Sequence, residues 1–196
     1  MKKLLTLICA CLFSAQVFAT AEPIPFLQDL TDDIISNVLT GDKTEQERLD
    51  NFKIAFQKAL DLKAIGQFVL GRFWKAADKA DQQQFLTVFM DFVSETWAKQ
   101  FSAYTGQKIN FTSVRSAEGN QLYVDSVIDG KSPTEVVWRL RQKGDEFKII
   151  DIIVEGVSMA MSYRNEYATF LQQNGGNLKT LIKELQSKIK SMNQPV

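Results

Sequence analysis

The spacing of apolar residues changes between Gly106 and Lys108, and this change constrains the fold more than any other feature of the chain. Before it, apolar side chains recur every three to four residues; after it they alternate; beyond Val157 the longer spacing returns. Phe26, Leu27, Leu30, Ile34, Ile35, Val38 and Leu39 follow Pro23 and Pro25 as an amphipathic helix ending at Gly41. Leu49, Phe52, Phe56, Ala59 and Leu60 form a second stripe, and Leu62 to Leu70 a shorter helical piece running into Gly71. Asp78 then caps a long helix, one face of which carries Phe85, Phe89, Phe92, Val93, Trp97, Phe101 and Tyr104.

Residues 108–114, 121–129, 134–142 and 146–154 read as four strands. The separators Glu118-Gly119-Asn120, Gly130-Lys131-Ser132-Pro133 and Lys143-Gly144-Asp145 are short, so the strands form an antiparallel meander. Ile150, Ile152, Ile153 and Val154 put apolar groups on both faces of the last strand, which predicts cover on both sides. Two more helices close the chain, one from near Val157 and one after Gly175-Gly176-Asn177. Helices, then strands, then helices give an α+β fold with about four strands and five to six helices. No repeat, low-complexity stretch or linker interrupts it.

Lys2 and Lys3 followed by an apolar run from Leu4 to Phe13 have the form of a secretory signal peptide, with cleavage after Ala19 or after Ala21. Residues 1–19 are then targeting sequence and residues 20–196 a single exported domain. Both cysteines, Cys9 and Cys11, leave with the signal. Cleavage also removes two of 23 basic residues, leaving 21 against 23 acidic and a charge of about −2. A slightly acidic chain does not suit nucleic acid as its main partner. The sequence has no histidine, which removes the Ser-His-Asp and Cys-His devices and the commonest zinc ligand.

Gly156-Val157-Ser158-Met159-Ala160 lies where strand gives way to helix, the setting of a G-x-S-x-G nucleophile elbow. No histidine exists to activate Ser158, so a helix N-cap is the favoured reading. Asp151 and Glu155 make an alternative acid pair for an exported enzyme acting on a small apolar substrate. Four residues along a strand, however, separates them by ~13 Å, and ion pairs with Arg164 or Arg139 are the simpler expectation. Lys179, Lys183, Lys188 and Lys190 read as a solvated helix face.

Aromatic density is the remaining signal. Phe68, Phe73, Trp74, Phe85, Phe89, Phe92, Trp97, Phe101 and Tyr104 fall within a single stretch. Periodicity alone favours a large core over an apolar cavity.

Two segments bear on that choice. Phe68-Val69-Leu70-Gly71-Arg72-Phe73-Trp74 and Asp151-Ile152-Ile153-Val154-Glu155-Gly156-Val157-Ser158, with Tyr163-Arg164 just beyond, resemble the signature stretches of the MlaC family of periplasmic phospholipid-binding proteins, also labelled toluene-tolerance proteins. The resemblance extends over the mature chain, including Asp81-Gln82-Gln83-Gln84-Phe85 and Trp138-Arg139-Leu140. Its departures are Phe73 and Phe147, where other aromatics are common, and Met159 and Met161, at usually aliphatic positions.

The resemblance implies an NTF2-like curved sheet packed with helices around an apolar cavity. It implies a monomeric, non-enzymatic periplasmic carrier without a cofactor, its cargo a glycerophospholipid. Its implied partners are an inner-membrane ABC transporter with an MCE-domain subunit and an outer-membrane lipoprotein–porin complex. Lining candidates are the nine aromatics above with Val136, Trp138, Leu140, Ile150, Ile152, Val154, Met159, Met161 and Tyr163. Arg72 and Arg164 are candidates for the headgroup phosphate, with a salt bridge inside the protein as the other reading of each.

Overall fold

The computed structural model describes residues 22–101 and 106–194, with no side-chain description for 99–101. The signal segment therefore lies outside the described residues, as do the side chains of Phe101 and Tyr104.

Pro23 occupies the first turn of α1 (Pro23–Ile34), where its missing N–H costs no hydrogen bond. Leu27, Leu30 and Ile34 are buried along one side. The chain then widens into a π turn over Ile35–Leu39. The carbonyls around this helix end converge on one side chain. Arg48 donates to the carbonyls of Val38, Leu39, Gly41 and Lys43 at 3.0–3.2 Å. Arg48 belongs to α2 (Glu45–Ala59), which starts at a capping box made by Thr44 and Glu47. Asp61 caps α3 (Leu62–Leu70), accepting from the Ala64 N–H at 3.1 Å. Two further helices follow, α4 (Arg72–Ala76) and α5 (Lys79–Phe101).

The sheet runs in sequence order and is antiparallel throughout: β1 (Ile109–Ser116), β2 (Gln121–Ile128), β3 (Thr134–Lys143), β4 (Glu146–Val154) and β5 (Val157–Ser158). The α+β meander read from the sequence is thus what forms, with a two-residue fifth strand and the five-residue α4 added. Glu155 and Gly156 turn β4 into β5, both with positive φ, 49° and 77°. This is the backbone sign that a tight two-residue hairpin requires at both turn positions. Glu155 is held in this uncommon state by its own side chain, which accepts from the Glu135 N–H at 2.6 Å. Helices α6 (Met159–Gln173) and α7 (Leu178–Met192) complete the chain.

Buried side chains fall into two groups. The sheet-side core joins α1 and α2 to one face of the sheet, where Val136, Trp138 and Leu140 lie with Phe147, Ile149 and Ile152. Here the Phe26 and Phe147 rings meet at 6.0 Å. Trp138 donates its indole N–H to Ser126 Oγ at 3.0 Å, and Ser126 donates to the Val136 carbonyl at 2.9 Å, so the buried polar atoms of this core are paired. The helix-side core is built from α3, α5, α6 and α7. Phe85 stacks on Phe89 at 5.4 Å, and Tyr167 presents its edge to both rings.

A strict period of two would put Ile150, Ile152 and Val154 on one face. The ladder departs from that period. Leu140 pairs with Ile149 and Arg139 with Asp151, which leaves Ile150 as the extra residue of a β-bulge. Phe147 and Ile149 consequently share the core face with Ile152 and Val154, and Ile150 does not follow them.

Candidate functional site: a cavity between the two cores

The two cores meet along β4. Leu60, at the break between α2 and α3, bridges Ile149 in parallel register, and the Asp61 N–H donates to the Ile149 carbonyl at 2.9 Å. Arg141 of β3 pairs with Asp61 at 2.9 Å and reinforces the junction. Above this anchored edge the layers do not close completely. An apolar cavity of about 50 Å³ remains, walled by Phe56, Leu60, Leu62 and Ile65 at the α2–α3 junction and by Phe89, Met90, Val93 and Trp97 on α5. Ile149, Ile150, Asp151 and Ile152 of β4, with Met159, Ala160 and Tyr163 of α6, complete the wall. Phe56 and Ile149 belong to the sheet-side core, Ile65 and Phe89 to the other, and Leu60, Leu62 and Trp97 pack against both.

Asp151 is the only acidic residue in this wall among the described residues and is 8% exposed. Its Oδ1 accepts from the Ile152 and Ala160 N–H groups, both at 2.9 Å, and its Oδ2 accepts from the Ser158 hydroxyl. Ser158 in turn accepts from the Met161 N–H as the N-cap of α6. The carboxylate therefore fastens the start of α6 to β4, and its negative charge lies at the favourable end of the helix dipole. The ion pairs expected of Asp151 and Glu155 do not form. Glu155 turns toward the Glu135 N–H, and Arg139 donates to Gln121 at 2.9 Å. The two carboxylates serve separate turns and do not converge on one substrate atom.

Tyr163 contributes the phenol of the wall. Its ring stands edge-on to Phe89 at 5.4 Å and to Phe92 at 6.2 Å. Burial pushes its hydroxyl up to about 12, with the Glu166 carboxylate adding to the shift. Tyr167, one turn on, is also raised, by burial first and then by Tyr163 and Glu166. Among the described residues its buried hydroxyl has no hydrogen-bond partner, nor has that of Ser94.

Of the sequence candidates, Phe89, Trp97, Ile150, Ile152, Met159 and Tyr163 lie on the cavity wall. Phe85 is in the helix-side core, with Phe73, Trp74 and Phe92 packed against it. Val136, Trp138 and Leu140 are in the sheet-side core, with Val154 against its margin. Phe68 and Met161 face outward, 39% and 44% exposed. Arg72 lies 4.9 Å over the Phe73 ring, while Arg164 lies 4.8 Å over Phe68 and donates to the Phe68 carbonyl. Neither arginine forms an ion pair among the described residues.

Sequence reasoning missed Phe56, Leu60, Leu62, Ile65, Met90, Val93, Ile149 and Ala160 as wall residues. One signal was available. Phe89, Val93 and Trp97 stand four apart on one line down α5 that reaches the cavity, although Phe85 lies on the same line one turn earlier and stays in the core. Phe92, off the line, packs on Tyr163 of α6.

The family model described as MlaC protein matches residues 28–187 of the chain. The intermembrane phospholipid transport system binding protein MlaC of Haemophilus influenzae is 23% identical over 197 aligned residues, covering 95% of this chain and 90% of that protein. Toluene tolerance protein ttg2D of Pseudomonas putida is 21% identical over 186 residues, covering 91% and 86%. Among solved structures, a phospholipid-binding protein from Ralstonia solanacearum, determined in complex with a phospholipid, superposes with a TM-score of 0.78 at 20% identity. The match covers 87% of this chain and 98% of that one.

Proposed function

The chain belongs to the MlaC family, and from that premise we propose that it is a periplasmic carrier of glycerophospholipid, holding acyl chains between its two cores. The observation that carries this reading is the apolar cavity along β4, lined from both layers. A phospholipid with ~30 acyl methylenes, at ~0.8 kcal/mol each, forfeits on the order of 24 kcal/mol of transfer free energy by standing in water. A carrier has to replace the bilayer around those chains almost completely, and a wall of aliphatic and aromatic side chains does so.

At about 50 Å³ the cavity is far below the ~300–1,000 Å³ of sites that enclose drug-sized ligands. Loading therefore requires the layers to part. The α2–α3 junction is anchored to β4 by the Leu60–Ile149 bridge and the Arg141–Asp61 pair, and the start of α6 by Asp151. Between these fixed lines, α5 presents only side chains to the cavity. Sliding of α5 enlarges the space while leaving these anchors in place, at the expense of its own pairs, Asp91 with Lys53 of α2 and Glu95 with Asn193. Met90 and Met159, unbranched and polarisable, refill it as chains of differing length enter.

In this reading the signal segment is removed on export, the remainder acts as one lipid-binding domain without a cofactor, and no covalent step occurs. Lipid passes between an inner-membrane MCE-domain ABC transporter and an outer-membrane lipoprotein–porin complex. The test is extraction of lipid from the purified mature chain, with native mass spectrometry on the intact protein. Phospholipid bound one to one is the expected result; a chain recovered only empty from a phospholipid-rich host overturns the reading. Trp97→Glu, which puts a charge on the wall, is expected to fold and to lose its lipid. Full occupancy in that variant removes Trp97 from the site.

A further inference from the structure

Five large hydrophobic side chains are exposed among the described residues; of these, Phe68 and Met161 lie on α3 and α6, which run side by side, and Val157 lies just before α6. Phe68 lies in the last turn of α3 and carries the Arg164 guanidinium on its ring. Met161 stands three residues before Arg164 on α6, hence on the same helix surface. Val157 immediately precedes the α6 cap and is 54% exposed. A close approach keeps the arrangement tight: a Cβ on Gly71 would stand 3.1 Å from an Arg164 nitrogen, at a φ of +52° that disfavours any side chain.

Basic groups around these apolar tips are left without carboxylate partners. Arg72 and Arg164 have no carboxylate partner among the described residues, and neither has Lys75 on the exposed α4. The acidic groups nearby are engaged elsewhere, Glu155 with the Glu135 N–H and Glu166 with Lys188 at 2.7 Å. Apolar side chains rimmed by unpaired cations are the chemistry that sinks into an interface of anionic headgroups. An acidic protein surface would satisfy the cations but leave Phe68, Val157 and Met161 without an apolar medium. The same two helices also wall the cavity, through Leu62 and Ile65 on α3 and Met159, Ala160 and Tyr163 on α6.

We propose that the surface formed by the end of α3, α4 and the start of α6 is a docking site for the headgroup region of an anionic phospholipid bilayer. The proposal rests on the carrier reading for its purpose, since it holds the carrier at the membranes in which its proposed donor and acceptor complexes sit. Phe68, Val157 and Met161 enter the headgroup layer, and Arg72, Lys75 and Arg164 take the phosphates. Contact is brief and salt-sensitive because it depends on few apolar side chains and on unscreened charge.

The experiment is flotation of the purified mature chain with vesicles of phosphatidylcholine containing about one part in three phosphatidylglycerol, against phosphatidylcholine alone. Binding is expected to the anionic vesicles, to fall as salt rises from about 0.05 to 0.5 M, and to weaken by about tenfold or more in Arg72→Glu combined with Met161→Glu. Both positions are exposed, and circular dichroism verifies the fold of the variant. Ile54→Glu, at an exposed apolar residue elsewhere, is expected to bind as the parent does. Equal binding to both vesicle types, an unaffected double variant, or retention on polyglutamate beads without vesicle binding overturns the proposal, the last assigning the surface to an acidic protein. Lipid extracted from the same preparation separates the two readings: bound lipid without vesicle binding sinks the docking site alone, and absence of both sinks the carrier as well.

Discussion

The sheet-side and helix-side cores bury similar kinds of side chain, yet they are held differently. On the sheet side, polar groups are paired: Trp138 with Ser126, Ser126 with Val136, Asp61 with Arg141, and Arg48 with four carbonyls. On the helix side the interior contacts are mainly rings on rings, with polar ties such as Arg164 to the Phe68 carbonyl, Asn193 to Glu95 and Lys188 to Glu166 around them. Two buried hydroxyls there, of Ser94 and Tyr167, have no partner among the described residues. Directional bonds fix a register, whereas ring contacts tolerate sliding. In the carrier reading the sheet side, held by more of these bonds, is the firmer wall of the cavity and the helix side the more adjustable one.

The sharpest test is to remove a ring from the adjustable side. Phe85→Ala is expected to cost about 3–5 kcal/mol in urea unfolding, because Phe85 is fully buried and stacks on Phe89. A cost under about 1 kcal/mol would mean that the rings do not form a core.

Next comes pH, which should separate the two sides. Tyr163 has its folded pKa raised from 10.0 to about 12, so its contribution is complete below pH 10 and is lost as pH rises through 12. A two-unit shift corresponds to roughly 2–3 kcal/mol. Alkaline titration followed by tyrosine absorbance and circular dichroism should show this loss, reduced in Tyr163→Phe. The sheet responds at the opposite end. Hydrogen bonds from Arg115 and then Ser113 lower Asp125 from 3.8 to about 2, so its contribution is present above pH 3.8 and disappears as pH falls toward 2. Asp125→Asn should flatten the acid limb and leave the alkaline limb unchanged.

Smaller effects test the polar asymmetry itself. Trp138→Phe keeps a ring in place but leaves Ser126 without its donor, and is expected to cost about 1–2 kcal/mol. Tyr167→Phe removes a buried hydroxyl that bonds to nothing among the described residues, and is expected to stabilise by about 1 kcal/mol. Calorimetry on both variants checks the signs. A loss of stability in Tyr167→Phe would show that the hydroxyl has a partner and that the contrast between the cores is overstated.

Much of the fold was legible because helix and strand spacing are local properties. Asp78, Pro23 and the glycine-rich turns mark ends that the structure keeps, and Ser158 is the N-cap that its position suggested. The five residues of α4 are too few to show a period. The bulge at Ile150 was hidden for a related reason: alternation predicts faces only while every residue has a cross-strand partner. The site was harder to read. Periodicity identifies the inner side of each helix but not which of two interiors that side meets, so Phe85 and Phe89 looked equivalent. Both rings belong to the helix-side core, and only the tertiary arrangement puts Phe89, and not Phe85, on the cavity wall.

The Phe26–Phe147 contact has a further consequence, for the time at which the chain can fold. It joins residues about 120 apart in sequence, and Phe85 with Tyr167 closes a span of about 80. As the polypeptide is synthesised from its N terminus, α1 and α2 are made long before the strands they cover, and α5 before its partners on α6 and α7. Neither interior can form early, and contacts so distant in sequence form slowly. The nascent chain therefore has no finished core until nearly its last helix is made.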